Sequence, residues 1–264
     1  MKKIFVPSLI ALAIGSLSSV AQAQTAPAPA AAPAAPESTL AYNAGVVSDY
    51  RYRGISQSRL NPALQGGIDY TDKSGFYVGA WGSTITWIKD AGTITSTSGV
   101  KGPVELDLYG GYKGTAGDLS YDVGYLRYQY VGNTLSKVGG AVDANTDELY
   151  GAVTYGVFTA KYSHAFSDLF GTPDSKNSYY LDLSAAFDLG NGYTLTPHVG
   201  RQGVKNHPVA SYNDYALTLG KDLGNGLSAS AAVIGTNATT GAYVSPSNKD
   251  LGKSGLVVGL KYTF

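Results

Sequence analysis

The 264-residue sequence contains no cysteine. Without cysteine the chain can form no disulfide, no thiolate metal site and no thiol nucleophile. It also has no net charge, because 19 basic residues balance 19 acidic residues. A balanced chain has no overall field to attract nucleic acid, so no nucleic-acid partner is predicted. The charge balance does not indicate which solute the protein would handle.

Long apolar runs are also missing beyond the first 23 residues. A membrane helix needs about 18 or more apolar residues, and the mean hydropathy is only −0.06. Hydropathy alone would therefore describe a water-soluble protein. The composition indicates otherwise, because 34 Gly and 21 Tyr stand against 7 Phe, 2 Trp and 1 Met. This balance is typical of a β-protein with a small apolar core, and tyrosine suits the interface between membrane and water.

The N-terminus has the features of a secretory signal peptide, predicted for residues 1–23. Two lysines precede an apolar run that ends in the small-x-small cleavage sequence Ala21-Gln22-Ala23. Residues 24–38 are rich in alanine and proline, which predicts a semi-rigid periplasmic tether or a spacer without function. The remaining chain, residues 39–264, is long enough for one barrel domain.

The C-terminus has the pattern of a membrane-crossing strand. From residue 255 onward, apolar side chains occupy every second position: Leu256, Val258, Leu260, Tyr262 and Phe264. This alternation predicts a strand with one apolar face, and about 9 to 11 residues cross a bilayer when the strand is tilted. The ending resembles the closing strand of bacterial outer-membrane barrels. That resemblance implies that Tyr262 and Phe264 form a signal read by the barrel-assembly machinery.

Similar alternation recurs along the chain and predicts twelve strands. They cover about residues 40–51, 62–70, 75–86, 103–113, 118–130, 147–156, 157–166, 178–188, 192–201, 211–221, 226–236 and 254–264. Short connections follow the even-numbered strands, and longer polar connections follow the odd-numbered ones, as in a barrel entered from the periplasm. The sequence therefore predicts an all-β, transmembrane, antiparallel up-and-down β-barrel with short periplasmic turns and longer extracellular loops. Its expected location is the cell outer membrane, with lipid as partner and a monomer favoured.

Three stretches near the N-terminal end of the barrel resemble a known family. They are 47–57 (VSDYRYRGISQ), 62–70 (PALQGGIDY) and 74–83 (SGFYVGAWGS). They are similar to the TorF-type porins, a proteobacterial outer-membrane family long described as having no known function. The resemblance is strongest over about residues 40–85. It implies an outer-membrane β-barrel and a diffusion channel, and it implies no substrate, cofactor or catalytic residue.

The first of these stretches carries alternating charges. Asp49, Arg51 and Arg53 are expected on one face of the first strand and its extension, with the intervening tyrosines on the other face. Arginine in lipid costs about 2 to 4 kcal/mol at the midplane, so the charged face is assigned to the lumen. The charges either form a constriction with carboxylates such as Asp69 across the lumen, or pair with each other and brace a filled interior. The pattern favours neither alternative.

Together these inferences predict a porin-like channel in which small polar solutes or ions diffuse passively, with selectivity set by lumenal charges. No cofactor is predicted. The residues expected to line the lumen or its constriction are Asp49, Arg51, Arg53, Asp69, Glu105, Asp107, Asp182 and Lys261.

Two other classes of function remain open. The first is a closed structural or surface-interaction barrel that acts through loops 87–102 and 237–253, which a lumen blocked by paired arginines and carboxylates would favour. The second is an outer-membrane hydrolase, which would need two of His164, His198 and an acidic residue within hydrogen-bonding reach. His164 and Ser167 lie three apart on a strand, so they point to opposite faces. No catalytic or metal site is predicted.

Overall fold

The computed structural model describes residues 38–264 of the chain. The predicted signal peptide, and all but the last residue of the predicted tether, lie outside the described residues. The strands are β1 Thr39–Val47, β2 Arg51–Tyr52, β3 Ile55–Ser56, β4 Ala63–Thr71, β5 Phe76–Thr84, β6 Val104–Ala116, β7 Leu119–Val131, β8 Thr146–Tyr155, β9 Phe158–Ala165, β10 Tyr179–Ala185, β11 Phe187–Gly190, β12 Tyr193–Gly203, β13 Tyr212–Gly224, β14 Leu227–Thr236 and β15 Gly255–Thr263. Helix α1 spans Trp87–Ile94, and single 3-10 turns span Leu135–Lys137 and Pro208–Ala210.

Thirteen of these strands form one antiparallel sheet that closes on itself. Closure occurs where β1 pairs with β15, from Asn43 opposite Thr263 to Val47 opposite Gly259. Strands β10 and β11 both pair with β12 and occupy a single strand position in the barrel wall, interrupted at Ala186. We call each such position a stave. The barrel therefore has twelve staves, and the predicted fold class is confirmed. Among residues 38–264, no helix is long and apolar enough to cross a membrane.

The two faces of the barrel wall differ in polarity in the way the alternation predicts. On β13, Leu217 and Leu219 are exposed on the outside, whereas Asp214 and Thr218 are buried inside. On β6, Glu105 and Asp107 also point inward and are at most 1% exposed. An apolar exterior around a polar interior is the arrangement of a membrane barrel and the reverse of a soluble one.

The two ends of the barrel differ in the length of their connections. At one end, which we call the turn end, the strands are joined by tight turns. Two of these turns are Asn191-Gly192 and Asn225-Gly226, and all four residues have φ between 50° and 81°. Positive φ at both central residues is the requirement of the type I′ hairpin turn, which Asn-Gly satisfies at little cost. At the opposite end, the loop end, long segments connect the strands, and one of them contains α1.

Tyrosine fills much of the interior, which the composition alone did not indicate. The buried cluster inside the barrel includes Tyr77, Tyr109, Tyr128, Tyr130 and Tyr150 on β5 to β8. Their hydroxyls bond to one another or to inward carboxylates, as when the Tyr77 hydroxyl donates to Asp122 Oδ1 at 2.5 Å. Amphipathic rings suit this space, because the ring packs while the hydroxyl finds a polar partner.

The largest departure from the sequence prediction is at the end of the first strand. β1 ends at Val47 and does not reach residue 51. Residues 48–61 instead fold into the lumen as a loop that contains the small hairpin β2–β3. We call residues 48–61 the inward loop. Asp49, Arg51 and Arg53 therefore lie on this loop, and the prediction that they continue the first strand is wrong.

The outward assignment of Leu217 can be tested by substitution. We expect Leu217→Arg to lower the free energy of unfolding in lipid vesicles by about 2 to 4 kcal/mol, because a guanidinium would face hydrocarbon near the middle of β13. Ala216→Arg, on the neighbouring inward position, is the matched control and should cost less than half as much. Denaturant titration of the refolded variants measures both values. Equal costs would mean that the two faces are wrongly assigned.

Candidate functional site

The candidate site is the lumen where the inward loop crosses it. The loop turns at Arg53 and Gly54, whose φ values are 47° and 80°, so β2–β3 is a tight hairpin with a primed turn. Left-handed backbone is uncommon for a residue other than glycine and persists where surrounding contacts hold it. The contacts of Arg53 supply that support. Asp49 also braces the loop, because it accepts a hydrogen bond from Ser56 Oγ at 2.5 Å.

Arg51 fixes the loop to the closing side of the barrel. Its Nε donates to Asp49 Oδ2 at 2.7 Å, and both side chains are less than 8% exposed. Its Nη1 donates to the carbonyl oxygen of Lys253, also at 2.7 Å. The charge of Arg51 is thus neutralised by its neighbour in the same loop while its position is set by the backbone before β15.

Arg53 reaches the opposite side of the lumen. Its Nη2 donates to both carboxylate oxygens of Glu148 on β8, at 2.8 and 3.0 Å, and its Nη1 donates to Gln202 Oε1 on β12 at 2.7 Å. The guanidinium carbon lies 4.8 Å from the ring centroid of Tyr52 and 4.4 Å from that of Tyr180. Burial alone would lower the pKa of Arg53. The nearby Glu148 carboxylate raises it, and the net pKa is well above the ordinary value.

The two tyrosines of the hairpin also point into the barrel. The Tyr50 hydroxyl donates to Glu105 Oε1 at 2.5 Å, and the Tyr52 hydroxyl lies 2.5 Å from that of Tyr128. Burial raises the pKa of both Tyr50 and Tyr52, which keeps the phenols protonated. The sequence placed these tyrosines on the face opposite the arginines. The hairpin is surrounded by the barrel interior, however, so neither of its faces meets lipid.

Two cavities lie on opposite sides of the hairpin. The inner cavity, of about 360 Å³, occupies the half of the lumen nearer the turn end. The outer cavity, of about 280 Å³, lies among the loops of the loop end. Tyr52 lines both cavities. The inward loop therefore divides the lumen into two compartments with Tyr52 in the shared wall.

The inner cavity has a mixed charged lining. Its charged side chains are Asp49, Arg51, Arg53, Asp69, Lys161, Asp182, Asp214 and Lys261. The wall formed by β10 and β12–β15 is made largely of small residues. These include Ser184, Thr196, Ala216, Thr218, Ser228, Ser230 and Ala232. The opposite wall carries the interior tyrosines, so the free space lies against the β10–β15 side.

Six of the eight residues predicted from the sequence line this cavity, whereas Glu105 and Asp107 do not. Glu105 is covered by Tyr50, and both carboxylate oxygens of Asp107 are buried without a hydrogen bond among the described residues. Asp69 accepts a hydrogen bond from the Tyr109 hydroxyl at 2.5 Å. The expected contact across the lumen is instead made by Glu148.

Several residues of the site were not identified from the sequence. Glu148 and Gln202 hold Arg53. His198, considered from the sequence only for the hydrolase alternative, lies between two carboxylates at the cavity wall. Alternation offered a signal for Glu148, because Leu149 and Val153 on the same strand face outward and leave the even positions inside. Nothing in the sequence pairs Glu148 with an arginine 95 positions earlier.

The geometry around His198 bears on the hydrolase alternative. Its Nε2 lies 2.7 Å from Asp214 Oδ2 and its Nδ1 lies 3.3 Å from Asp182 Oδ1. A histidine and an acidic residue are thus within hydrogen-bonding reach. Both ring nitrogens face carboxylates, and the Tyr180 hydroxyl also lies 3.1 Å from Nε2. His164 is bonded to Asn177 near the loop end. Within residues 38–264 no cluster of three metal-ligating side chains occurs.

The chain was compared with known families and structures. Residues 30–264 match a family model described as bacterial protein of unknown function, Gcw_chp. The chain belongs to this family. No curated protein matches it. The match does not test the resemblance to the TorF-type porins, which stays a prediction.

Two solved porins share its fold. The NanC porin has a TM-score of 0.53 at 10% identity, with 86% of this chain and 99% of that chain covered. The KdgM porin, in complex with disordered oligogalacturonate, has a TM-score of 0.51 at 10% identity, with the same coverage. At this identity the likeness establishes the fold alone.

The buried pair of Arg53 and Glu148 can be tested against a partly exposed pair one residue away. We expect Glu148→Gln to lower the free energy of unfolding by about 3 to 5 kcal/mol, because it leaves a buried guanidinium without its carboxylate. Asp147→Asn is the matched control, since Asp147 pairs with the partly exposed Arg127 on the outer surface, and it should cost at most about 1 kcal/mol. Urea titration in vesicles measures both. The buried pair would lose its assigned role if the two variants were equally stable.

Proposed function

We propose that this protein is an outer-membrane porin-like channel for passive diffusion of small polar solutes or ions, with the inward loop as its constriction. The observation that carries the proposal is the position of the β2–β3 hairpin, which crosses a polar lumen with a cavity on each side. A closed barrel with an apolar outer surface suits a lipid bilayer. The shared fold of the KdgM and NanC porins supports the same reading.

The two ends of the barrel support a proposal for its orientation and assembly. In the proposed orientation the turn end is periplasmic and the loop end extracellular. Phe264 lies at the turn end, is 63% exposed, and stacks on Tyr42 and Tyr262 with ring centroids 5.8 and 5.6 Å apart. An exposed terminal aromatic on the closing strand is accessible to the barrel-assembly machinery, the partner we propose for biogenesis.

The charges of the inner cavity bear on the class of solute. Four acidic and four basic side chains line it, with His198 in addition. Such a lining has no dominant sign, which supports passage of small polar solutes or ions without strong selection by charge. The oligogalacturonate of the KdgM complex is acidic, and this balanced lining gives no reason to extend that ligand to the present chain. We assign no enzymatic activity.

A second candidate is a closed barrel that acts as a structural or surface-interaction protein through its loops. The observation that favours it is the pairing of both loop arginines, Arg51 with Asp49 and Arg53 with Glu148. Paired and buried charges stabilise a closed interior, and they are equally compatible with a constriction. Whether current passes the hairpin distinguishes the two candidates.

Single-channel conductance in a planar bilayer tests the channel. We expect small, stable steps from the wild-type protein and larger steps with altered ion selectivity from Arg53→Ala, because truncation removes a charge and opens the partition beside Tyr52. Arg127→Ala is the matched control, since Arg127 pairs with Asp147 on the outer surface, and its conductance should equal that of wild type.

Heat-modifiable migration on a gel verifies that each variant is a folded barrel. A folded wild-type protein that carries no current would reject the channel and favour the closed structural barrel. Steps that change as much in Arg127→Ala as in Arg53→Ala would show that the hairpin is not the constriction.

A further inference from the structure

The outer cavity is unlike the inner one, because its wall is largely aromatic and aliphatic. Six segments of the chain enclose it: the inward loop, the segment with α1, the end of β7, and the loops that follow β9, β12 and β14. Six aromatic side chains line it, namely Tyr52, Trp87, Tyr130, Phe170, Tyr212 and Tyr243. Only one of its lining residues, Asp90, carries a formal charge.

The rings of this wall hold one another in place. Trp87 meets Tyr130 edge to face, with centroids 5.2 Å apart, and Tyr212 meets Tyr243 in the same way at 5.3 Å. Tyr52 and Phe170 form a third such pair at 5.6 Å. Edge-to-face pairs are favourable contacts between rings. The cavity is therefore formed before any ligand arrives, which lowers the entropic cost of binding.

Most of the polar groups in the wall are already engaged within the protein. Asp90 accepts from Arg59 Nε at 2.9 Å, and the Gln57 amide donates to the Ile55 carbonyl oxygen at 3.0 Å. Gln202 and Ser56 are bonded to Arg53 and Asp49. A sugar, which needs several hydrogen bonds, would find few free partners here, and an ion would find no free counter-charge.

One fully buried donor in the wall has no partner among the described residues. The Nε1 of Trp87 is buried and makes no hydrogen bond among the described residues. A buried polar atom without a partner is uncommon in proteins and requires an explanation, of which a bound group is one. A ligand with a single acceptor oxygen would satisfy it.

From these observations we propose that the outer cavity is a binding site for a small, uncharged aromatic compound that carries one hydrogen-bond acceptor. A dry cavity of about 150 Å³ lined by apolar side chains is enough to hold a benzene ring. The volume of about 280 Å³ here accommodates a substituted ring. The site concerns binding at the loop end and stands whether or not the lumen conducts.

The first test measures binding of benzyl alcohol to the refolded full-length barrel in lipid nanodiscs by calorimetry, with empty nanodiscs as the background. Saturable binding with about one site per chain is expected. Benzoate tests the exclusion of charge, glucose tests the exclusion of a polar ring, and cyclohexylmethanol tests the need for an aromatic ring. Each of the three should bind at least about tenfold more weakly.

Cavity-filling variants locate the site. Ala91→Phe on α1 and Ala242→Phe in the loop after β14 each add a ring to the cavity wall, from two separate segments of the chain. Both should weaken benzyl alcohol binding by about tenfold or more. Thr93→Phe is the matched control, because Thr93 is exposed on the same helix and does not line the cavity. Its affinity should equal that of wild type. Two variants on separate segments keep the test valid if one fails to fold.

Tryptophan fluorescence provides a second readout, because the chain has only two tryptophans. Trp87 lines the outer cavity and Trp81 lines the inner one. In Trp81→Phe the emission of Trp87 should change saturably with benzyl alcohol, while in Trp87→Phe the emission of Trp81 should not.

Several results would overturn the proposal. They are the absence of saturable binding by folded wild-type protein, equal binding of benzoate or glucose, and binding that persists unchanged in both cavity-filling variants. A saturable response of Trp81 alone would place the ligand in the inner cavity and would equally reject the outer site.

Discussion

Closure of the sheet between β1 and β15 is the constraint on which the rest of the structure depends. In a bilayer each backbone N–H and C=O must find its partner within the protein, since hydrocarbon offers none. The closing ladder runs from Asn43 opposite Thr263 to Val47 opposite Gly259, and it leaves no sheet edge at this seam. Once the sheet is closed, one face of every strand meets lipid and the other meets the lumen. That division explains why a chain with almost neutral mean hydropathy forms a membrane barrel.

A barrel of twelve staves also has an interior that its own wall cannot fill with small residues alone. Here the filling is uneven. Tyrosines from β5 to β8 occupy one side of the lumen, and the inward loop crosses it. The other side, on β10 and β12–β15, carries serine, threonine and alanine, and the inner cavity lies against it. The distribution of large and small side chains around the barrel therefore determines where the inner cavity lies. The charged side chains that line the cavity determine its polarity.

The regular part of this fold is predictable from the sequence because alternation encodes it directly. Leu217 and Thr218 take opposite faces for the same reason that Leu256 and Val257 do, and tight turns at Asn191-Gly192 follow from positive φ. The inward loop is not predictable in this way. Asp49, Arg51 and Arg53 alternate with tyrosines as the residues of a strand would. The chain leaves the barrel wall at this point and folds into the lumen, so the alternation no longer separates a lipid face from a lumen face. The contact between Arg53 and Glu148 joins positions 95 apart, which no local pattern reports.

The inward loop limits how a solute could pass. Withdrawing the hairpin would separate Arg53 from Glu148, and breaking a buried pair costs about 3 to 5 kcal/mol. At about 1.4 kcal/mol for each factor of ten, the withdrawn state would be populated at about one part in a hundred to one part in several thousand. Passage beside a fixed hairpin requires no such separation. The small side chains lie on the β10–β15 wall, next to the inner cavity. In the proposed channel, the least costly route would therefore run along that wall and past Tyr52, the residue that both cavities share.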